Sequence, residues 1–257
     1  MKVSLNIVRS LINFELPSVD ELVLRVNQQL GGVEEVIDLG AKYSGARIVR
    51  VVECGKHPDA DRLSVTKIDD GGAVPDVPHD DNGYVQVVCG APNVHADMWA
   101  IWLPPGSTVP ASFDDTEPFV LGARPLRGVL SQGMLAAADE LAIGTDHEGI
   151  IEITENDLPS GAELQAGARF AEIFGLDDFV LDIENKMFTH RPDCFGQLGV
   201  AREIAGIFGQ QFTSPEWYKA QQQFSTAEGL DLMITNGAPE LVPRFMAVAI
   251  KDVEVKP

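Results

Sequence analysis

The chain has 257 residues, of which 45% are hydrophobic and 23% are charged, which is typical of a soluble globular protein with one large or two modest domains. No run approaches the roughly 18 apolar residues of a membrane helix, and the first ten residues lack the apolar stretch of a secretion signal, so we expect a cytoplasmic protein. Three widely spaced cysteines support neither a disulfide framework nor a zinc cluster. The formal net charge of −20 argues against strong binding of nucleic acid by the surface as a whole.

The first 39 residues predict a small α/β unit. A first helix is expected over residues 6–13. Ser18, followed three residues later by Glu21, forms a capping box that predicts the start of a second helix. Residues 33–37 then have the composition of a strand.

From residue 47 onward the apolar pattern changes from helical spacing to alternation. Five short strands are predicted, at residues 47–53, 63–68, 85–89, 98–103 and 126–130. Residues 70–83 form a polar loop within this series, and Trp99 and Trp102 lie in a strand that we expect to be buried. Five strands with glycine-containing turns are the number that an oligonucleotide-binding barrel requires.

The pattern after residue 130 is mixed. Gly133 precedes a predicted short helix over residues 134–141, and residues 150–153 return to a strand. Further predictions are a helix within residues 162–175, a strand at 179–183 and a strand at 245–255. Asp193 is predicted to cap a helix that starts at Cys194 and ends before Gly209.

Two motifs stand out in the region of the predicted barrel. Residues 57–67 read HPDADRLSVTK, and residues 131–141 read SQGMLAAADEL, with VVCGAPNV between them at 87–94. Pro58 favours a turn between two strands in the first motif. In this order the three segments resemble the tRNA-binding barrel of methionyl-tRNA synthetase appendages, of small free-standing tRNA-binding proteins and of phenylalanyl-tRNA synthetase beta subunits.

A further signature lies outside the barrel. Residues 180–209 read VLDIENKMFTHRPDCFGQLGVAREIAGIFG, in which Leu-Asp-Ile, Arg-Pro-Asp-Cys and Gly-Val-Ala-Arg-Glu resemble the segment after the barrel in bacterial phenylalanyl-tRNA synthetase beta subunits. Phe188 and His190 depart from that family, which commonly has Pro and Asn there. The resemblance covers only about the first third of such a subunit.

This resemblance implies an α+β fold class. We expect a five-stranded OB-fold barrel, residues 40–153, inserted into a small discontinuous α/β domain made of residues 1–39 and 154–195. Residues 196–257 would begin a further α/β domain, the editing region.

The family also implies a function. The chain is expected to supply the tRNA-binding and subunit-assembly part of a phenylalanine–tRNA ligase, with tRNA(Phe) and the alpha subunit as partners in an alpha2beta2 complex. ATP and magnesium are expected cofactors of the full enzyme only, and the sequence points to no catalytic or metal-binding residue here. Two alternatives stay open: a protein–protein docking module with little tRNA contact, and a stand-alone OB-fold tRNA-binding protein.

RNA contact requires cations along the phosphate backbone and planar or small groups near the bases. By their match to the motifs, the predicted tRNA-binding residues are Lys56, His57, Arg62, Asn93, Arg127, Ser131 and Met134. Turn formation and core packing are the competing structural explanations for His57, Ser131 and Met134. Residues 40–153 nevertheless carry 8 basic and 17 acidic side chains, which favours the docking alternative.

Overall fold

The computed structural model describes residues 1–219, 233, 235–243, 245, 247 and 253. Its strands are β1 (Lys2–Ser4), β2 (Val33–Asp38), β3 (Arg47–His57), β4 (Ala60–Asp69), β5 (Val85–Cys89), β6 (Trp99–Leu103), β7 (Ala123–Leu126), β8 (Val129–Gln132), β9 (Met134–Leu135), β10 (Glu152–Ile153) and β11 (Phe179–Ile183). Its helices are α1 (Leu5–Leu11), α2 (Val19–Gln29), α3 (Leu39–Lys42), α4 (Phe170–Ile173), α5 (Gln197–Ile207) and α6 (Glu216–Lys219). The fold is mixed α and β with antiparallel sheets, as predicted. No helix in this described part is long and apolar enough to cross a membrane.

The chain divides into two compact units, Met1–Phe212 and Thr213–Pro257. In the first, β1, β11 and β2 form an antiparallel sheet, so residues near the N-terminus pair with residues about 180 positions later. Helices α1, α2 and α5 pack in the same apolar core as this sheet. Helix α5 thus adds to the core beyond residue 195, where we expected the N-terminal domain to end. In the second unit, α6 is described, whereas the predicted strand at 245–255 lies outside the described residues.

A larger antiparallel sheet occupies the middle of the first unit. Its strands pair in the order β10–β6–β3–β4–β5, and β9 also pairs with β6. Because side chains alternate along a strand, β3 buries Ile48 in one apolar cluster and Val49 in another, and β6 does the same with Ile101 and Trp102. Within residues 1–219 the ladders form an open path rather than a closed ring, so closure into a five-stranded barrel stays a prediction.

Four of the five predicted strands in this region are confirmed, and the strand at 126–130 is wrong. Residues 126–129 instead contain the turn between β7 and β8. Arg127 has φ 48° and Gly128 has φ 88°, so both adopt the left-handed conformation of a tight hairpin turn. The turn reverses the chain where the apolar alternation suggested a continuous strand.

The predicted helix over residues 134–141 is also wrong. Met134 and Leu135 pair with Leu103 and Trp102 of β6 and form β9 instead. Gly133 turns the chain into this pairing with φ 74°, and a Cβ on it would collide with the carbonyl oxygen of Leu103. Tertiary pairing therefore overrides the helical propensity of the following alanines.

Asp193 does not cap a helix, contrary to prediction. Residues Pro192–Phe195 form a 3₁₀ helix, and α5 begins after Gly196. The Asp193 carboxylate accepts two hydrogen bonds, of 3.0 and 2.8 Å, from the guanidinium of Arg191, which lower the pKa of Asp193 to about 2. The carboxylate is thus engaged mainly by the arginine.

The predictions with clear local signals are confirmed. Ser18 accepts a hydrogen bond from the backbone N–H of Glu21 and precedes α2, and the first predicted helix corresponds to α1. Residues 70–83 connect β4 to β5 without regular structure. Trp102 is fully buried, whereas Trp99 is half-buried at the edge of the core.

Candidate nucleic-acid interface

The basic side chains of residues 40–153 divide into two groups. Lys42, Arg50 and Lys67 form ion pairs with Asp114, Asp97 and Asp80, and Arg47 donates to the backbone carbonyls of Ser44 and Ala46. The other four cations, all of them exposed, form no ion pair within residues 1–219: Lys56, Arg62, Arg124 and Arg127. All four lie on two hairpins, β3–β4 and β7–β8.

A buried histidine joins these two hairpins. His57, at the end of β3, is 5% exposed. Its Nδ1 accepts a hydrogen bond of 3.0 Å from the backbone N–H of Asp59, so Nε2 carries the proton and donates to the carbonyl oxygen of Leu126 at 3.0 Å. Because Lys56 adjoins His57 and Arg127 adjoins Leu126, this bond brings the cations of the two hairpins to one end of the sheet.

The β7–β8 hairpin has no strand ladder with the larger sheet. Besides His57, three hydrogen bonds that each involve a side chain hold it: Gln86 Nε2 to Leu130 O at 2.9 Å, Trp102 Nε1 to Gln132 O at 2.8 Å, and the N–H of Val88 to Ser131 Oγ at 2.9 Å. The Ser131 hydroxyl donates in turn to the carbonyl of Gly133 at 2.9 Å. Buried side chains thus fix the position of this hairpin.

The local charge differs from that of the whole chain. Residues 54–64 and 121–133 contain the four cations and two carboxylates, Asp59 and Asp61, both exposed. Neither carboxylate forms an ion pair with Arg62 in the described part of the chain, although both are near it in sequence. This end of the sheet is therefore cationic in a chain whose formal charge is −20.

The structure places the seven predicted site residues in three groups. Lys56, Arg62 and Arg127 are exposed and free to reach a ligand, whereas His57 and Ser131 are buried and hydrogen-bonded internally. The remaining two line or support a neighbouring cleft. Met134 is half-buried, and the Asn93 amide exchanges hydrogen bonds of 2.8 and 3.0 Å with the backbone of Ile150.

Arg124 is a cation that the sequence analysis missed. It stands directly opposite Ser131 in the β7–β8 ladder, and it is exposed. Arg124 becomes a candidate only once the β7–β8 hairpin is known, and the incorrect prediction of one strand at 126–130 left that hairpin out.

Comparison with known proteins finds a family model that matches the part of the chain containing both hairpins. Residues 46–163, which include both hairpins, match the family model described as "Putative tRNA binding domain". The phenylalanine–tRNA ligase beta subunit of Yersinia pestis is 33% identical over 93% of this chain, and that of Rhodopseudomonas palustris is 36% identical over 93%. Over most of its length, the chain is similar to part of the phenylalanine–tRNA ligase beta subunits.

The chain spans about a quarter of the length of these beta subunits, 26% in both cases. Among solved structures, the C-terminal domain of Plasmodium vivax p43 is 21% identical, with 48% of this chain and 57% of that chain covered and a TM-score of 0.28. A MetRS related protein from Pyrococcus horikoshii is 18% identical, with 61% and 98% covered and a TM-score of 0.30. Scores this low carry no argument about the fold.

Proposed function

We propose that this chain binds tRNA through the cationic end formed by the β3–β4 and β7–β8 hairpins. The observation that carries the proposal is that the four exposed cations of residues 40–153 that form no ion pair within residues 1–219 all lie on these hairpins, which His57 ties together. Lys and Arg contacts with phosphate supply most of the non-specific affinity for nucleic acid. Lys56, Arg62, Arg124 and Arg127 are the proposed phosphate contacts, and His57 and Ser131 position the hairpins.

The proposed architecture is an OB-fold barrel. In such barrels, nucleic acid binds on the face of strands 2 and 3 and on the loops that connect strands 1–2 and 4–5. Here β3, β4 and β5 would be the first three strands and β6 the fourth. The β3–β4 turn and the β7–β8 hairpin then correspond to the two binding loops, which supports the same end of the sheet as the interface.

The biological context that we propose is a phenylalanine–tRNA ligase in the cytoplasm. The chain would bind tRNA(Phe) and contribute to assembly with the alpha subunit in an alpha2beta2 complex, while ATP and magnesium serve the full enzyme. No group of three His, Cys, Asp or Glu side chains in the described residues is arranged to hold a metal ion.

The test is a titration of tRNA with the purified chain, followed by fluorescence anisotropy at about 50 mM and about 200 mM salt, since counterion release favours binding at the lower concentration. Saturable binding that weakens with salt is the expected result. Absence of binding at both concentrations would refute the proposal.

The acidic excess of residues 40–153, 17 acidic against 8 basic side chains, favours a second candidate, a docking module. Mixing the chain with a phenylalanine–tRNA ligase alpha subunit and measuring co-elution separates the two. Co-elution without any tRNA binding supports docking alone.

A further inference from the structure

A cleft of about 380 Å³ lies beside the β7–β8 hairpin. Its lining includes Gly122 and Arg124 from the approach to that hairpin, Gly90 from the residues after β5, and Gly149 from the segment before β10. The volume falls within the usual range of small-molecule sites. The exposed cation Arg124 therefore belongs both to the proposed phosphate track and to this cleft.

The lining of the cleft suits a flat ring better than a phosphate. Apolar side chains such as Val88, Leu126 and Met134 provide surface for stacking. Beside Arg124 and His147, the lining also contains the carboxylates of Glu140 and Glu148, which would repel an anion. A neutral base with hydrogen-bond donors at its edge meets no such repulsion.

Glu140 is held in a fixed position within this lining. It is half-buried, and its Oε2 accepts a hydrogen bond of 2.8 Å from the backbone N–H of Ala137. Burial raises the pKa of Glu140 above its ordinary value, and the bond from Ala137 opposes that effect. A carboxyl group placed in this way can accept a hydrogen bond from the exocyclic amine of a base.

We propose that this cleft accommodates an unpaired nucleobase of the RNA whose phosphates contact the two hairpins. The inference rests on the proposed function and adds to it the class of RNA that is preferred. Bases in a paired A-form helix are not available to such a cleft, whereas bases in loops and at ends can be turned outward and stacked. The chain should then prefer RNA with unpaired nucleotides to a fully paired duplex.

Two glycines of the lining have room for a side chain. A Cβ at Gly122 meets no atom within 4 Å, and at Gly90 it meets only the Leu63 side chain at 3.5 Å. Neither residue has a positive φ. Gly122→Leu and Gly90→Leu therefore add bulk at two separate points of the lining, and Gly206→Leu, at an open position on α5, is the matched control.

The experiment compares a single-stranded RNA 12-mer of randomised sequence with a blunt, fully paired 12-base-pair RNA, by anisotropy at low salt, with thermal unfolding to verify that each variant folds. Each cleft variant should lose on the order of tenfold in affinity for the single strand, the scale of one stacked base, and less than about twofold for the duplex. Gly206→Leu should match the wild type for both.

Three outcomes would overturn the inference. If both cleft variants bind the single strand as the wild type does, or if they weaken the two RNAs equally, the cleft holds no base, and the hairpin proposal still stands. If the wild type binds neither RNA, the inference fails, and the hairpin proposal is decided separately by the tRNA titration.

Discussion

The salt dependence of tRNA binding tests the cationic end most directly. The four unpaired cations, if each neutralises one phosphate, give a slope of log affinity against log salt of about −3.6, which is about a 150-fold loss of affinity between about 50 and 200 mM salt. The double variant Lys56→Gln/Arg127→Gln removes one cation from each hairpin. The slope for this variant should be shallower, about −1.8, and its affinity should decrease only about 12-fold over the same range of salt.

The rest of the chain has little influence on this slope. At about 0.1 M salt the Debye length is about 10 Å, so carboxylates farther away are largely screened. The matched control is Lys42→Gln/Arg50→Gln, which removes the same charge from residues 40–153 but takes it from side chains that are already ion-paired. Anisotropy titrations at four salt concentrations give both slopes. Equal slopes for the two double variants would refute the assignment of the interface to the hairpins.

Two further predictions concern stability and ionisation. Gly133→Ala should destabilise the chain by more than about 2 kcal/mol in urea unfolding, because of the positive φ and the collision with the Leu103 carbonyl, whereas Gly122→Ala should stay within about 0.5 kcal/mol. The hydrogen bond that His147 Nδ1 donates to the Asp139 carboxylate raises the pKa of His147 above 6.5. This pair therefore favours the folded state below pH 6.5, and its contribution disappears as pH rises through the raised pKa. An NMR titration should show a lower midpoint in Asp139→Asn, and an unchanged midpoint would contradict the assignment.

The fold could be predicted wherever local chemistry decides the structure. The Ser18 cap and the alternating residues of β3, β5 and β6 identify their elements from short stretches of sequence. The β7–β8 turn could not be predicted, because an arginine rarely adopts a positive φ, as Arg127 does here, and the usual Asn-Gly or Asp-Gly signal is absent.

Other errors arise from long-range pairing. The run after Gly133 has good helix formers, yet Met134 and Leu135 pair with β6, about 32 residues earlier in the chain. Nothing within a short window of sequence reports that partner.

The candidate site was predicted in part for a similar reason. The motifs indicate Lys56, Arg62 and Arg127, but sequence does not show which cations are ion-paired. Arg62 is unpaired although Asp61 adjoins it, whereas Lys67 pairs with Asp80 across the loop. Only the three-dimensional arrangement distinguishes a cation that is available from one that is neutralised.

The attachment of the β7–β8 hairpin has a consequence for the RNA that this end can contact. Four side-chain hydrogen bonds, rather than a continuous ladder, hold the hairpin to the larger sheet. Because His57, Ser131 and Trp102 are buried, these bonds hold Arg124 and Arg127 in a set position relative to Lys56 and Arg62. We therefore expect this end of the sheet to present a preformed array of cations and to favour phosphate backbones whose spacing matches it.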